Sequence, residues 1–187
     1  MASSTRSKAT KALRTVGLAV LAGAAIYAFS TAVRNQFGSV SPAHQRARAD
    51  NFSVRTLKGE SWSLEEQRGN VVLVNFWATW CPPCRIETPS LVDLHKKYAD
   101  RGFTVAGITM DEEPQDSVPA FAGKYGIPYP ILVPTGQLSL MDRVEALPTS
   151  VLLDRSGRIA RTYVGLVTEA GLSDDIEALL SEKDGGA

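Results

Sequence analysis

Cysteine and histidine are nearly missing from this chain: 187 residues contain two cysteines, Cys81 and Cys84, and two histidines, His44 and His95. With both cysteines in one short segment, no separate disulfide framework exists to staple the fold. A four-thiolate zinc site would need a second pair, and the histidines are not spaced as finger ligands, so no metal is expected. Acidic residues are absent before Asp50, whereas seven of the twenty basic residues lie there; thirteen bases then face twenty acids, a net charge of −7 from Asp50 onward. An acidic body lacks the basic face that phosphate recognition requires, which excludes nucleic acid as the expected partner. The apolar content of 44% with 21% charged residues rules out disorder of the whole.

The N-terminal third carries one long uncharged run, Thr15 to Val33. As a helix rising about 1.5 Å per residue it nearly crosses a bilayer core. Arg6, Lys8, Lys11 and Arg14 before it favour an N-terminus held in the cytoplasm, which sends the rest of the chain across the membrane. Small residues at Ala22-Gly23-Ala24 and Ile26-Tyr27-Ala28 leave a cleaved signal open, and the Ser/Thr/Ala/Arg richness leaves an organelle transit peptide open. The uncleaved anchor is favoured because the apolar run continues past those sites. The expected organisation is a basic cytoplasmic segment 1–14, an anchor or signal 15–33, a tether 34–49 and a folded domain 50–187. The chain is expected in the inner membrane as a single-pass monomer, its domain on the periplasmic or other extracytoplasmic side.

Within the domain, Phe52 to Leu57 and Ser61 to Leu64 flank the turn Lys58-Gly59-Glu60 as two short strands, with Trp62 covering a core edge. Val71 to Trp77 is a continuous apolar run of buried-strand length, and Phe103 to Thr109 is similar. Ile86, Leu91, Leu94 and Tyr98 recur at helical spacing until Arg101-Gly102. Ser117 to Tyr125 predicts a helix closed by Gly126, Tyr129 to Val133 a short strand, Val151 to Leu153 and Ile159 to Val164 a hairpin, and Glu169 to Leu180 a last amphipathic helix. This order implies an α/β domain: an N-terminal β-hairpin, then a mixed central sheet with helices on both faces.

Cys81 and Cys84 fall directly after a predicted buried strand and in the first turn of a predicted helix, where unpaired N–H groups and the helix dipole stabilise an anion. A thiolate is the nucleophile of disulfide exchange, and a two-residue spacer lets the second sulfur displace a mixed disulfide on the first. Pro82 and Pro83 suit a first helical turn, whose N–H groups have no partner within the helix. A permanent short-loop disulfide or half of a metal clip are the plainer readings; the strand before, the helix after and the export signal favour a reactive dithiol. Glu87, three residues beyond Cys84, shares that cysteine's helix face. A surface acid that stabilises the helix start is its plainer alternative.

The segment Asn75-Phe76-Trp77-Ala78-Thr79-Trp80-Cys81-Pro82-Pro83-Cys84-Arg85 resembles the active-site segment of the thioredoxin superfamily, in particular the membrane-anchored TlpA/ResA/CcmG-type oxidoreductases of bacteria. The resemblance runs from about Phe52 to Leu180 and implies a thioredoxin-like fold behind a single N-terminal transmembrane helix. It implies Cys81 as the exposed attacking sulfur, Cys84 as the buried resolving one, and Trp80, Pro82 and Pro83 as contact surface. Leu147-Pro148-Thr149 resembles the family's cis-proline loop, implying a cis Pro148 and a backbone near Leu147 and Pro148 free to pair with an extended substrate. Without the family, Pro148 reads equally as an ordinary proline at the start of a strand. Pro89 matches the kink-forming proline of the family's helix. The resemblance also makes Glu87 a buried carboxylate that takes a proton from Cys84, in place of the aspartate that general thioredoxins carry where Asn75 stands here. Trp62, Phe76 and Trp77 are expected in the core and His95 on a solvated helix face.

Because Pro82 and Pro83 offer no N–H to the Cys81 sulfur, its thiolate should be less stabilised, which lowers the potential and favours a reductant. The resemblance supplies the expected partners: protein disulfides such as the haem-binding cysteines of apocytochrome c in cytochrome c maturation, and a transmembrane thiol carrier as electron donor. No cofactor is expected beyond the redox-active Cys81–Cys84 disulfide. Two rivals share the fold. A peroxiredoxin-like thiol peroxidase wants a threonine three residues before its cysteine, where Ala78 stands; a non-catalytic copper carrier wants a wider cysteine spacing and a later histidine, and none follows His95.

Overall fold

Seven consecutive buried residues, Val71–Trp77, form the central strand β3. Uninterrupted burial means that both of its faces are covered. In the computed structural model, which describes residues 40–182 and Gly23, the strands before it are β1 (Ser53–Thr56) and β2 (Ser61–Ser63). After it come α1 (Pro82–Tyr98), β4 (Phe103–Thr109), α2 (Pro114–Tyr125), β5 (Ile131–Val133), β6 (Thr149–Leu153), β7 (Ile159–Val164) and α3 (Glu169–Ser181). The seven strands form one sheet in the order β2-β1-β5-β4-β3-β6-β7. β3 runs parallel to β4 and antiparallel to β6, β4 runs parallel to β5, and the two hairpins close the edges, so the sheet is mixed as expected.

Alternation along β3 sorts the core into two layers. Val71 and Leu73 pack with Leu91, Leu94 and Tyr98 of α1 and with Leu172, Ile176 and Leu179 of α3. Trp77, on the same face, meets Val118 and Phe121 of α2. Val72, Val74 and Phe76 point the other way, towards Trp62, Leu64, Ala106, Ile108 and Leu140. These three α-helices, α1 to α3, thus share one face. The other, where helices were also expected, carries no α-helix among the described residues and is covered by the 3-10 helix Ser139–Arg143 with the extended residues around Ala49 and Phe52. Trp62, Phe76 and Trp77 are core residues, and Phe52 stacks on Trp62 at 5.6 Å between ring centroids.

The expected anchor, residues 15–33, and the expected basic segment, residues 1–14, lie outside the described residues apart from Gly23. Among the described residues no helix is long and apolar enough to cross a membrane. Residues 40–49, read as tether, are bound to the domain. Arg48 bridges to Arg158, the Ser41 N–H reaches the Ala160 carbonyl at 2.9 Å, and the Ala49 N–H reaches that of Gly157 at 3.0 Å. The buried Arg46 guanidinium donates to Asp154 Oδ2 at 3.0 Å and to both Glu182 carboxylate oxygens at 2.6 and 2.7 Å. A buried, paired arginine binds a segment that hydrophobic periodicity would leave free.

Candidate active site

The dithiol stands where a parallel strand ends and a helix begins. β3 carries the chain to Trp77, a turn crosses Ala78 to Trp80 with the Cys81 N–H on the Ala78 carbonyl, and α1 starts at Pro82. Cys81 is the N-cap of α1; its Sγ accepts the Cys84 N–H at 3.3 Å. Pro82 and Pro83 occupy the first two helical positions, so of the two usual donors to an N-cap side chain, at the second and third helical positions, the one at Pro83 is missing and that of Cys84 is kept. Cys81 and Cys84 are joined as a disulfide with Cα atoms 5.3 Å apart. Their side of the site is lined by Trp77, Ala78, Val118, Phe121 and Ile131, with Met110 and Leu147 half-buried against them. Family resemblance placed Cys81 at the surface. In the disulfide state it is only 3% exposed, against 1% for Cys84, because this apolar collar closes over both sulfurs. Trp80 beside it is 63% exposed, and Ile86 on the outer face of the helix 68%.

Glu87 lies one turn beyond Cys84 and is 2% exposed. Its Oε2 accepts from Asn75 Nδ2 at 3.1 Å and its Oε1 from the Val167 N–H at 3.0 Å. Asn75 Nδ2 also donates to Ser150 Oγ at 2.9 Å, so β3, α1, β6 and the loop before α3 meet at one carboxylate. Burial raises the Glu87 pKa; the bonds from Val167 and Asn75 pull it back only in part. The surface-acid reading is excluded by that burial. Tyr129 is buried nearby, and burial together with the charge of Glu87 pushes its phenol up.

The Leu147–Pro148 bond is cis, as the resemblance implied. Pro148 is buried and its carbonyl accepts the Gly165 N–H at 2.8 Å, so that carbonyl is already taken and any backbone pairing with a substrate falls to Leu147. Gly165 and Val167 carry the loop that touches both Pro148 and Glu87. Between and before them stand Leu166 and Val164, 46% and 51% exposed. Trp80 and Ile86 are the exposed apolar residues beside the cysteines, and Val164 and Leu166 those beside the loop that meets Pro148 and Glu87. His95 is half-buried rather than solvated: its Nδ1 accepts the Val105 N–H at 3.3 Å, and burial lowers its pKa.

Ser150, Val167 and Asp111 belong to this constellation and were not anticipated. Asp111 follows β4 and receives the Thr79 N–H at 3.0 Å, besides hydroxyls of Thr79, Thr109 and Ser117. Its place just past the carboxyl end of a parallel strand is where α/β sheets gather functional groups, a signal available in the sequence.

Comparison with known proteins agrees with this geometry. The Redoxin family profile matches residues 42–180. The thioredoxin-like protein YneN of Bacillus subtilis is 39% identical over 130 residues, 69% of this chain and 76% of that protein. The thiol-disulfide oxidoreductase ResA of Halalkalibacterium halodurans is 34% identical over 167 residues, 88% of this chain and 92% of that one. Among solved structures, a thiol:disulfide interchange protein of the thioredoxin family from Chlorobium tepidum superposes with a TM-score of 0.66 at 32% identity, over 75% of this chain and all of that one. A strand-to-helix dithiol beside a buried glutamate and a cis proline, on a sheet of this order, places the chain in the Redoxin family of the thioredoxin superfamily, as a thiol-disulfide oxidoreductase of ResA and CcmG type.

Proposed function

We propose that the domain is an extracytoplasmic reductant of protein disulfides, held at the membrane by residues 15–33, with cytochrome c maturation-type substrates such as the paired cysteines of an apocytochrome c. The observation that carries the direction is the N-cap of α1: Cys81 Sγ has the Cys84 N–H as a donor, while Pro82 and Pro83 have none to give. A thiolate with fewer donors is less stabilised, so the reduced dithiol gives up its electrons more readily. The substrate disulfide accepts attack by the Cys81 thiolate, releasing one substrate thiolate and forming a mixed disulfide. Cys84 loses its proton to Glu87 and attacks the Cys81 sulfur, releasing the second substrate thiolate; two electrons have then passed to the substrate. Trp80, Ile86, Val164 and Leu166 supply an apolar surface for the polypeptide around the substrate disulfide, and the Leu147 backbone pairs with it. The resulting Cys81–Cys84 disulfide is the only redox group required, and it is returned to the dithiol by a transmembrane thiol carrier. The domain works as a monomer.

Equilibration with glutathione or dithiothreitol buffers tests the direction. A potential near that of thioredoxin, about −270 mV, is expected; one near that of strong periplasmic oxidants, about −120 mV, overturns it.

A further inference from the structure

Asp111 has no role in the exchange steps above, yet its carboxylate accepts four hydrogen bonds from three segments. Oδ2 takes the Thr79 N–H at 3.0 Å and the Thr109 hydroxyl at 2.7 Å; Oδ1 takes the Thr79 and Ser117 hydroxyls, at 2.5 and 3.2 Å. The position follows from the sheet. β3 and β4 are parallel and in register to their last residues, Trp77 opposite Thr109, and the Met110 N–H extends the ladder to the Trp77 carbonyl at 2.8 Å. The next residue on β4's side, Asp111, is thereby set against the turn after β3. Burial raises the carboxyl's pKa, but the bonds from Thr79, Thr109 and Ser117 outweigh it and hold the group ionised.

On its other side the Thr79 carbonyl accepts from Arg85 Nε of α1 at 2.7 Å. The Thr79 peptide is therefore gripped at its N–H by Asp111 and at its carbonyl by α1. The residue that follows is Trp80, a large indole 63% exposed with no burial of its own to hold it. Its backbone is fixed by its neighbour. We infer that Asp111 is a positioning residue for substrate recognition: through Thr79 it sets the exposed Trp80 as a preorganised platform for the polypeptide flanking the target disulfide. Preorganisation of an exposed aromatic lowers the ordering that binding requires, so its loss appears in substrate affinity before it appears in the chemical step.

This rests on protein disulfides being the substrate. The full chain, wild type and with Asp111→Asn, Thr79→Val, Trp80→Ala and Asp111→Asn/Trp80→Ala, is assayed for steady-state reduction of insulin with dithiothreitol as the reductant that returns the Cys81–Cys84 disulfide to the dithiol. Asp111→Asn and Thr79→Val are each expected to raise KM about fivefold to tenfold, the size set by one or two lost charge-assisted bonds, with kcat within about twofold. Asp111→Asn is expected to add less than about twofold in the Trp80→Ala background, since both act through one platform. Unchanged KM in both single variants, a loss confined to kcat, or a full Asp111→Asn effect on top of Trp80→Ala overturns the inference. Thr79→Val decides alone if Asp111→Asn does not fold. A wild-type chain that fails to reduce insulin at all would instead remove the substrate reading, and the inference with it.

Discussion

Replacing Glu87 by glutamine separates the chemistry of the site from its architecture. The carboxamide keeps the shape and keeps one oxygen for the Val167 N–H, 3.0 Å away in the native site. Its NH2 then meets the Asn75 amide, which can turn over and accept, while the Ser150 hydroxyl changes from acceptor to donor. Exchanging two charge-assisted bonds for neutral ones costs about 1–3 kcal/mol, and no longer burying a charge offsets a similar amount, so stability at neutral pH should change by less than about 1.5 kcal/mol. The pH dependence changes more clearly. A carboxyl whose folded pKa is raised favours the folded state while protonated: that contribution is complete below the ordinary carboxyl range and is lost as pH rises through the raised value. Wild type should therefore lose stability relative to Glu87→Gln as pH rises above the ordinary carboxyl range and through the raised value, read as diverging denaturant midpoints. In stopped-flow reduction of a model disulfide, Glu87→Gln should slow release of the mixed disulfide on the order of a hundredfold at neutral pH, because Cys84 has lost its proton acceptor. An unchanged rate and an unchanged dithiol titration would refute the reasoning, whatever the stability shows.

Two further perturbations test how the site is held. Arg46→Ala removes the partner of the buried Asp154, which keeps its bonds from Ser156 and the Arg158 N–H; a loss of about 3 kcal/mol and roughly 6–12 °C in Tm is expected by calorimetry, with the potential of the dithiol unmoved. A Cβ at Gly107 would sit 2.9 Å from Trp77 Nε1 and 3.3 Å from the Tyr129 ring, and Trp77 packs against both cysteines; Gly107→Ala should cost about 1–3 kcal/mol in denaturant unfolding and slow exchange as well.

β3, β4 and β7 were readable to the residue because each is an unbroken strand-type run bounded by turn residues: Asn70 before β3, Gly102 with φ 85° before β4, Gly165 with φ 86° after β7. β5 is shorter than the apolar run Tyr129 to Val133 suggested, since Pro130 has no N–H to give a ladder. α2 starts at Pro114, three residues before the expected Ser117, because proline is accepted in a first helical turn although the acids around it look like a loop. The docking of residues 40–49 depends on Arg46 reaching Asp154, 108 positions away, and no local pattern carries such a contact.

The same distinction divides the site. Cys81, Cys84 and Glu87 lie on one helix start, so spacing alone relates them. Glu87's partners come from β3 and from Val167, 80 residues on, and only the closed sheet brings them together. Cys81 was expected at the surface from the family resemblance alone; the apolar cluster of α2 and Met110, which closes over the disulfide, comes from residues far along the chain.

The most direct test of the central claim is covalent trapping of a protein disulfide on single-cysteine variants. With Cys84→Ser, the mixed disulfide on Cys81 should persist and appear by intact mass as a thiol-sensitive adduct of chain plus substrate, while Cys81→Ser should give little or none. An adduct on Cys84 in Cys81→Ser, with none on Cys81 in Cys84→Ser, would contradict the account.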